Sequence, residues 1–265
     1  MSDNVKITKS YSKRIVLEVA TEVGDTRTGR RVPNYDDWDL SFSNEIKKLQ
    51  ELIVKFVENE TKDLEKYLDN IVAQFKTEAN FNKIMCYKGV KLGTKIEGDY
   101  IGPAPKEVRS DQRYSTKKEE CLYLITDNNF IKYEIEKEEQ ITDWLEQKYE
   151  INLSNYKIAN LSSSNNLIDE ILENAFFMSE RGKTHQGYNI EESLIKQGKS
   201  KYLFSQLLAK LFKKYNWDGF YISGVQGKKG ATYNNIVLFE SITSDNWEKW
   251  VYEKYDRHSK NKGSE

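Results

Sequence analysis

Arg113, Tyr123 and Glu134 stand ten and eleven residues apart, and Ser223 and Asn235 follow near the ends of two apolar runs. An arginine, a tyrosine and a carboxylate at open spacing offer an anion clamp, a flat ring with a hydroxyl, and a negative charge. Taken singly, each has a plainer reading: Arg113 as a surface residue, Tyr123 as a half-buried strand aromatic, Glu134 as a solvated carboxylate. Better-known constellations are missing from the sequence. It has no Gly-x-Ser-x-Gly and no Gly-x-x-x-x-Gly-Lys-Ser/Thr. His185 and His258 lack partners at metal spacing and read as exposed. The segment from Gly224 to Gly230 reads as a flexible turn, with anion contact as the alternative.

The elements that position these residues are clearest near the C-terminal end. From Lys201 to Phe239, Leu203, Phe204, Leu207, Leu208, Leu211 and Phe212 recur as one helical face. Asp218-Gly219 ends that pattern, and Phe220 to Ile222 and Ile236 to Phe239 read as strands, with Ser223 and Asn235 near their ends. Cys121 to Thr126 reads as a short strand carrying Tyr123, and Met85 to Leu92 as a strand containing a glycine. Arg113 lies on a turn. Phe130 to Ile135 reads as a strand or the start of a helix, Ile141 to Tyr149 as a helix, and Leu167 to Phe177 as another. Ser179 to Ser200 reads as a polar connection. Trp247 and Trp250 would anchor a last helix, and the tail from Asp256 would fray.

Upstream, Ile46, Leu49, Ile53 and Phe56 form one apolar stripe, and Leu64, Leu68, Ile71 and Phe75 a second, interrupted at Asn59 and Thr61. A helical hairpin and one long helix fit equally, and either reads as an interaction or support element. Arg14 to Val23 reads as a strand, and the charged segment around Arg27, Arg30, Arg31, Asp36, Asp37 and Asp39 as a solvated loop. The organisation expected is a helical N-terminal region over 1–80, an α/β (α+β) domain with a mixed sheet over 81–251, and a charged tail over 252–265.

Composition narrows the class. Of 265 residues, 38% are hydrophobic and 12% aromatic, enough for a packed core. Basic and acidic residues, 41 and 42, nearly cancel, which argues against broad attraction to nucleic acid. No apolar run approaches the roughly 18 residues of a membrane span, and MSDNVKITKS lacks a secretory apolar segment. A cytoplasmic protein is expected, with Cys86 and Cys121 as free buried thiols.

The region from Met85 to Trp250 resembles the RES domain, a family named for its arginine, glutamate and serine. The resemblance rests on Ile101 to Pro105, Gln112-Arg113-Tyr114-Ser115, Leu122-Tyr123-Leu124 and Tyr133-Glu134-Ile135. It continues through Tyr202, Ser205-Gln206, Asp218-Gly219, Ser223-Gly224-Val225, Tyr233 to Phe239, and Trp247 to Trp250. It implies a fold similar to ADP-ribosyltransferase toxins, NAD as substrate with no metal, and a cognate antitoxin as partner. Family members break the nicotinamide–ribose bond and pass ADP-ribose to phosphate, water or a protein. By that resemblance Glu134 would stabilise the oxocarbenium-like ribose, Arg113 would clamp the diphosphate, and Tyr123 would face nicotinamide. Lys88, Tyr114, Ser223 and Asn235 would contact the rest of the dinucleotide. Two positions depart from the family pattern: Lys88 and Gln226 stand where arginine is usual, with Lys228 or Lys229 as candidates to replace the charge missing at Gln226. The competing readings are a non-catalytic protein that binds a partner, or a second copy of itself, through the N-terminal helices, and an RNA-directed toxin.

Overall fold

The computed structural model describes residues 40–59, 62–79, 81–91, 102–104, 106, 109–131, 143–162, 164–224, 233–244 and 246–259. Arg14 to Val23, the charges from Arg27 to Asp39, and Glu134, Gln226, Lys228 and Lys229 lie outside them.

Among the described residues, seven strands form one mixed sheet: β1 (Ile84–Lys91), β2 (Cys121–Ile125), β3 (Asp143–Ile151), β4 (Ile158–Asn160), β5 (Gly219–Ser223), β6 (Asn234–Phe239) and β7 (Val251–Ser259). Their order is β4-β5-β6-β2-β1-β3-β7. Only β4 and β5 pair in parallel; every other neighbouring pair is antiparallel. The fold is therefore mixed α and β, as the alternating elements of the sequence predict. Alternation sorts the side chains of β2, β5 and β6 onto two faces. Leu122, Leu124, Ile236 and Leu238 enter a core shared with Cys86, Tyr149 and Trp250. Phe220, Ile222, Val237 and Phe239 face the helices.

The helical layer holds α1 (Leu40–Asn59), α2 (Lys62–Gln74), α3 (Leu167–Arg181), α4 (Ile190–Lys196) and α5 (Leu203–Lys214), followed by the single turns α6 (Glu240–Thr243) and α7 (Trp247–Trp250). The two apolar stripes of the N-terminal region become a pair of helices, and their buried residues Ile46, Leu49, Ile53, Leu64 and Leu68 share one core with Phe176, Leu208, Phe212 and Phe220. Phe75 meets the Phe212 ring edge-on at 5.7 Å. Lys210–Glu65 at 2.8 Å and Lys214–Asp69 at 2.7 Å add surface ties between α5 and α2. Phe56, placed on the first stripe by its spacing, packs only partly buried at the margin, and Val57 is fully buried instead.

Several elements differ from the sequence reading. Residues 143–151 form β3 rather than a helix. Their Leu, Glu, Gln and Lys favour helix intrinsically, but β1 pairs with this segment along eight positions and β7 covers its other edge. Pairing within a sheet outweighs so weak a preference. A bulge against β7 shifts the register near Lys148, and consecutive residues Glu146 and Gln147 are both buried there. The tail does not fray at Asp256, because β7 runs to Ser259. The polar connection after Ser179 contains α4, capped by Asn189, whose side chain accepts from the Glu192 amide at 3.0 Å and donates to the Glu192 carboxylate. Near Phe130 a short 3-10 turn, Asn128–Phe130, leads into a helical Ile131. This agrees with the helical of the two alternatives for Phe130 to Ile135, and 132–135 lie outside the described residues. His185 is half-buried rather than exposed: its ring stacks on Phe177 at 5.4 Å, Nε2 lies 2.9 Å from Asn174 Oδ1, and burial lowers its pKa to about 3.

Because α1 shares the central core, Leu49→Ala is expected to destabilise the whole protein by about 2–5 kcal/mol, in a single cooperative urea transition. A main transition unchanged by this substitution would mean that the helices fold apart from the sheet.

Candidate functional site

Where β1 meets β2 the sheet is barely joined. Tyr87 opposite Ile125 is their one register pair among the described residues, whereas β1 and β3 pair from Ile84 to Lys91. Beyond Tyr87 the two strands separate, and a cavity of about 430 Å³ opens between them. Tyr87, Lys88 and Gly89 line it from β1, and Cys121, Tyr123 and Ile125 from β2. The segment 110–114 closes one side, with Tyr202 at the start of α5. This volume lies in the range of small-molecule and cofactor pockets.

The turn Gln112 to Ser115 delivers two of the predicted residues. Gln112 N donates to Ser115 O at 2.9 Å, and Gln206 of α5 reaches the carbonyls of Gln112 and Ser115 at 3.0 and 3.2 Å. Held at both ends, the turn projects Arg113 and Tyr114 toward the last turn of α3. Arg113 Nη1 donates to Ser179 O at 2.5 Å. Its Nε lies 3.6 Å from Glu180 and its Nη1 3.5 Å from Glu191, while its guanidinium sits 5.5 Å from the centre of the Tyr202 ring. Burial opposes a charge here, but Glu180 foremost, with Tyr114, Tyr123 and Glu191, outweighs it and raises the Arg113 pKa. The cation also caps the negative end of α3.

Tyr114 is 1% exposed and donates its hydroxyl to Glu180. Burial, then the neighbouring Glu180 carboxylate, raises its pKa and keeps the phenol neutral. Its ring runs parallel to that of Tyr123, centres 6.2 Å apart, and meets Phe220 edge-on at 4.7 Å. Tyr123 in turn accepts from Asn235 Nδ2 at 2.7 Å. Asn235 is fully buried, and its Oδ1 has no hydrogen-bond partner among the described residues. A buried acceptor left open is costly, and a ligand or water donor is its natural complement.

Lys88 donates from Nζ to the Gly102 carbonyl. Burial lowers its pKa to about 8, with the nearby Cys121 thiol opposing. Gly102 is itself constrained, since a Cβ there would come within 2.6 Å of the Trp247 ring. Of the two thiols, Cys86 is buried, whereas Cys121 is half-buried on the cavity wall; both are free.

The structure thus gathers Lys88, Arg113, Tyr114 and Tyr123 at one cavity and places Asn235 directly behind Tyr123. It does not bring Ser223 there. Ser223 lies opposite Asn234 at the end of β5, and alternation turns it to the face away from Ile222 and Asn235. Glu180 was missed at the sequence level, although a signal exists. Leu172, Phe176 and Glu180 continue one i, i+4 stripe, so a carboxylate occupies a position the period assigns to an apolar residue.

Among the described residues, no cluster of His, Cys, Asp and Glu could hold a metal ion, and no helix is long and apolar enough to cross a membrane. No family model matches the chain, and no curated protein matches it. Among solved structures it is similar to a chain in the crystal structure of the M. tuberculosis MbcT-MbcA toxin-antitoxin complex. That match has 10% identity and a TM-score of 0.41, and covers 73% of this chain and 89% of that one. A likeness of this size assigns no activity.

The displaced pKa of Lys88 has a measurable sign. The folded amine is neutral above about 8, whereas the unfolded one holds its proton up to 10.5. Between these values the unfolded chain binds more protons, so stability rises with pH, by at most about 1.4 kcal/mol per unit. Urea titrations at pH 7.5 and 9.5 (assay settings, roughly spanning that window) are expected to show the wild type gaining on Lys88→Met. A constant difference would place the Lys88 amine in water.

Proposed function

We propose that the protein is an NAD-consuming enzyme of the RES type, which breaks the nicotinamide–ribose bond in the cavity between β1 and β2. The observation that carries this reading is the convergence of Lys88, Arg113, Tyr114 and Tyr123, from separate segments of the chain, on one cavity of about 430 Å³. Of the segments that resemble the RES family, Gln112 to Ser115, Leu122 to Leu124 and Tyr202 contribute to this wall.

The chemistry follows from the groups present. Tyr87 and Tyr123 offer flat surfaces for the nicotinamide ring, and the Asn235–Tyr123 hydrogen bond at 2.7 Å fixes the second of them. Lys88 and Arg113 supply positive charge for the diphosphate. Departure of nicotinamide leaves a ribose with oxocarbenium character, and Glu134 is assigned to stabilise it through a ribose hydroxyl. ADP-ribose then passes to phosphate, water or a protein acceptor. Such an enzyme depletes a central cofactor, which fits a toxin held in check by a cognate antitoxin. The alternative of a partner-binding helical arm finds less support, because the apolar stripes of α1 and α2 are spent on the protein's own core.

Purified protein incubated with NAD, with and without phosphate, is expected to release nicotinamide and yield ADP-ribose or its phosphorylated form by mass spectrometry. Glu134→Ala should slow release by about 10²–10⁴-fold, and Arg113→Ala and Tyr123→Ala should also slow it. Equal, slow depletion by the wild type and Glu134→Ala, in the presence of phosphate and of cell extract as a source of acceptors, would refute the enzyme reading.

A further inference from the structure

We infer that Glu180 is a positioning residue for NAD, holding Arg113 and Tyr114 in the arrangement that forms one wall of the cavity. The inference rests on the reading above for its substrate, but its geometry stands apart from it.

Glu180 is 5% exposed on the last turn of α3, beneath the segment 112–115. A carboxylate this deep is tolerated only when its oxygens are occupied. Here the two oxygens serve different residues: Oε1 accepts from the Tyr114 hydroxyl, and Oε2 faces Arg113 Nε at 3.6 Å. The neighbouring carbonyl of Ser179 takes Arg113 Nη1 at 2.5 Å. One helical turn thus grips both residues that the turn delivers.

The end of α3 is shaped for this grip. Gly182 closes the helix with φ of +65° and donates to Met178 O. A Cβ at Gly182 would lie 2.5 Å from the Glu191 side chain, so its absence lets Glu191 pack against the helix end. From there Glu191 reaches Arg113 at 3.5 Å, with its side chain 30% exposed. Glu191 is the more solvated, weaker partner, and Glu180 the buried, determining one. Tyr114 passes the constraint on, because its ring lies parallel to Tyr123, which Asn235 holds from the other side. Glu180 acts through Arg113 and Tyr114.

Glu180→Gln keeps the shape and an acceptor for Tyr114 but removes the charge that orients Arg113. Two readouts are taken on folded protein, with the thermal midpoint as the check of folding and Glu180→Asp as a second variant that retains the charge. The first needs no substrate: the Arg113 Nε–Hε NMR resonance, assigned by its loss in Arg113→Met, should be protected from exchange in the wild type and in Glu180→Asp, and lost in Glu180→Gln. The second is a double-mutant cycle on nicotinamide release. Glu180→Gln should raise KM for NAD about tenfold with kcat changed less than about threefold, and this effect should vanish in the Arg113→Met background. An Arg113 resonance unchanged in Glu180→Gln, or a KM effect that adds in full to that of Arg113→Met, overturns the inference. A wild type that releases no nicotinamide refutes the enzyme reading alone, and the resonance still decides whether Glu180 positions Arg113.

Discussion

Among the described residues, a seven-stranded sheet joined at its middle by the single register pair Tyr87–Ile125 must be held together by something other than backbone pairing there. Side chains do this. On one face, Cys86 and Tyr149 from the β1–β3 half pack in the same core as Leu122, Leu124, Ile236 and Leu238 from the other half. Beside the junction, Ile125, Ile131 and Tyr233 form a small cluster against Tyr87, with Phe130 stacked on Tyr233 at 4.8 Å. Apolar packing clamps the two halves while leaving the strands free to part beyond Tyr87. The cavity is the consequence of that arrangement, and each side of it belongs to a paired strand or an anchored turn.

The charges around the cavity follow a second rule: each buried cation has its counter-group close by. Arg113 is balanced by Glu180, Glu191 and the Ser179 carbonyl, and Lys88 donates to the Gly102 carbonyl. Arg109, further out, bonds Ala104 O at 2.8 Å and Glu120 at 2.7 Å, and Glu120 also accepts from Thr243 at 2.7 Å. These contacts pin both ends of the segment that carries Ser110 to Ser115. A pocket assembled from a turn would be loose by default; here the turn is tied to α3, α5 and α6. Pre-organisation of this kind lowers the ordering cost when a ligand binds.

Much of this was legible in the sequence where local pattern and tertiary packing agree. The α5–β5–β6 segment, β2 and the two N-terminal stripes carry periodic apolar residues, most of which end up buried as their spacing predicts, with Phe56 and Leu203 partly exposed. β1 forms where expected, with Cys86 as its one fully buried residue among those described. Legibility failed where pairing partners decide the outcome. Residues 143–151 look helical until β1 and β7 claim both edges, and the charged tail looks free until β3 pairs with it. For the site, the resemblance to the RES motifs singled out Arg113, Tyr114, Tyr123 and Lys88, but single residues could not reveal the buried network behind them. Glu180 is separated from Arg113 by 67 positions and from Tyr114 by 66, and only the fold closes that distance. Ser223 illustrates the opposite case, since it sits at the right strand end but its parity turns it from the cavity.

The proposed NAD site is the split between β1 and β2. It is tested most directly by a crystal structure of the protein with a non-hydrolysable NAD analogue whose ribose ring oxygen is replaced by carbon. The nicotinamide end is expected between Tyr87 and Tyr123, with the diphosphate within reach of Lys88 or Arg113. An analogue bound elsewhere on the molecule, or a cavity left empty at saturating analogue, would contradict it.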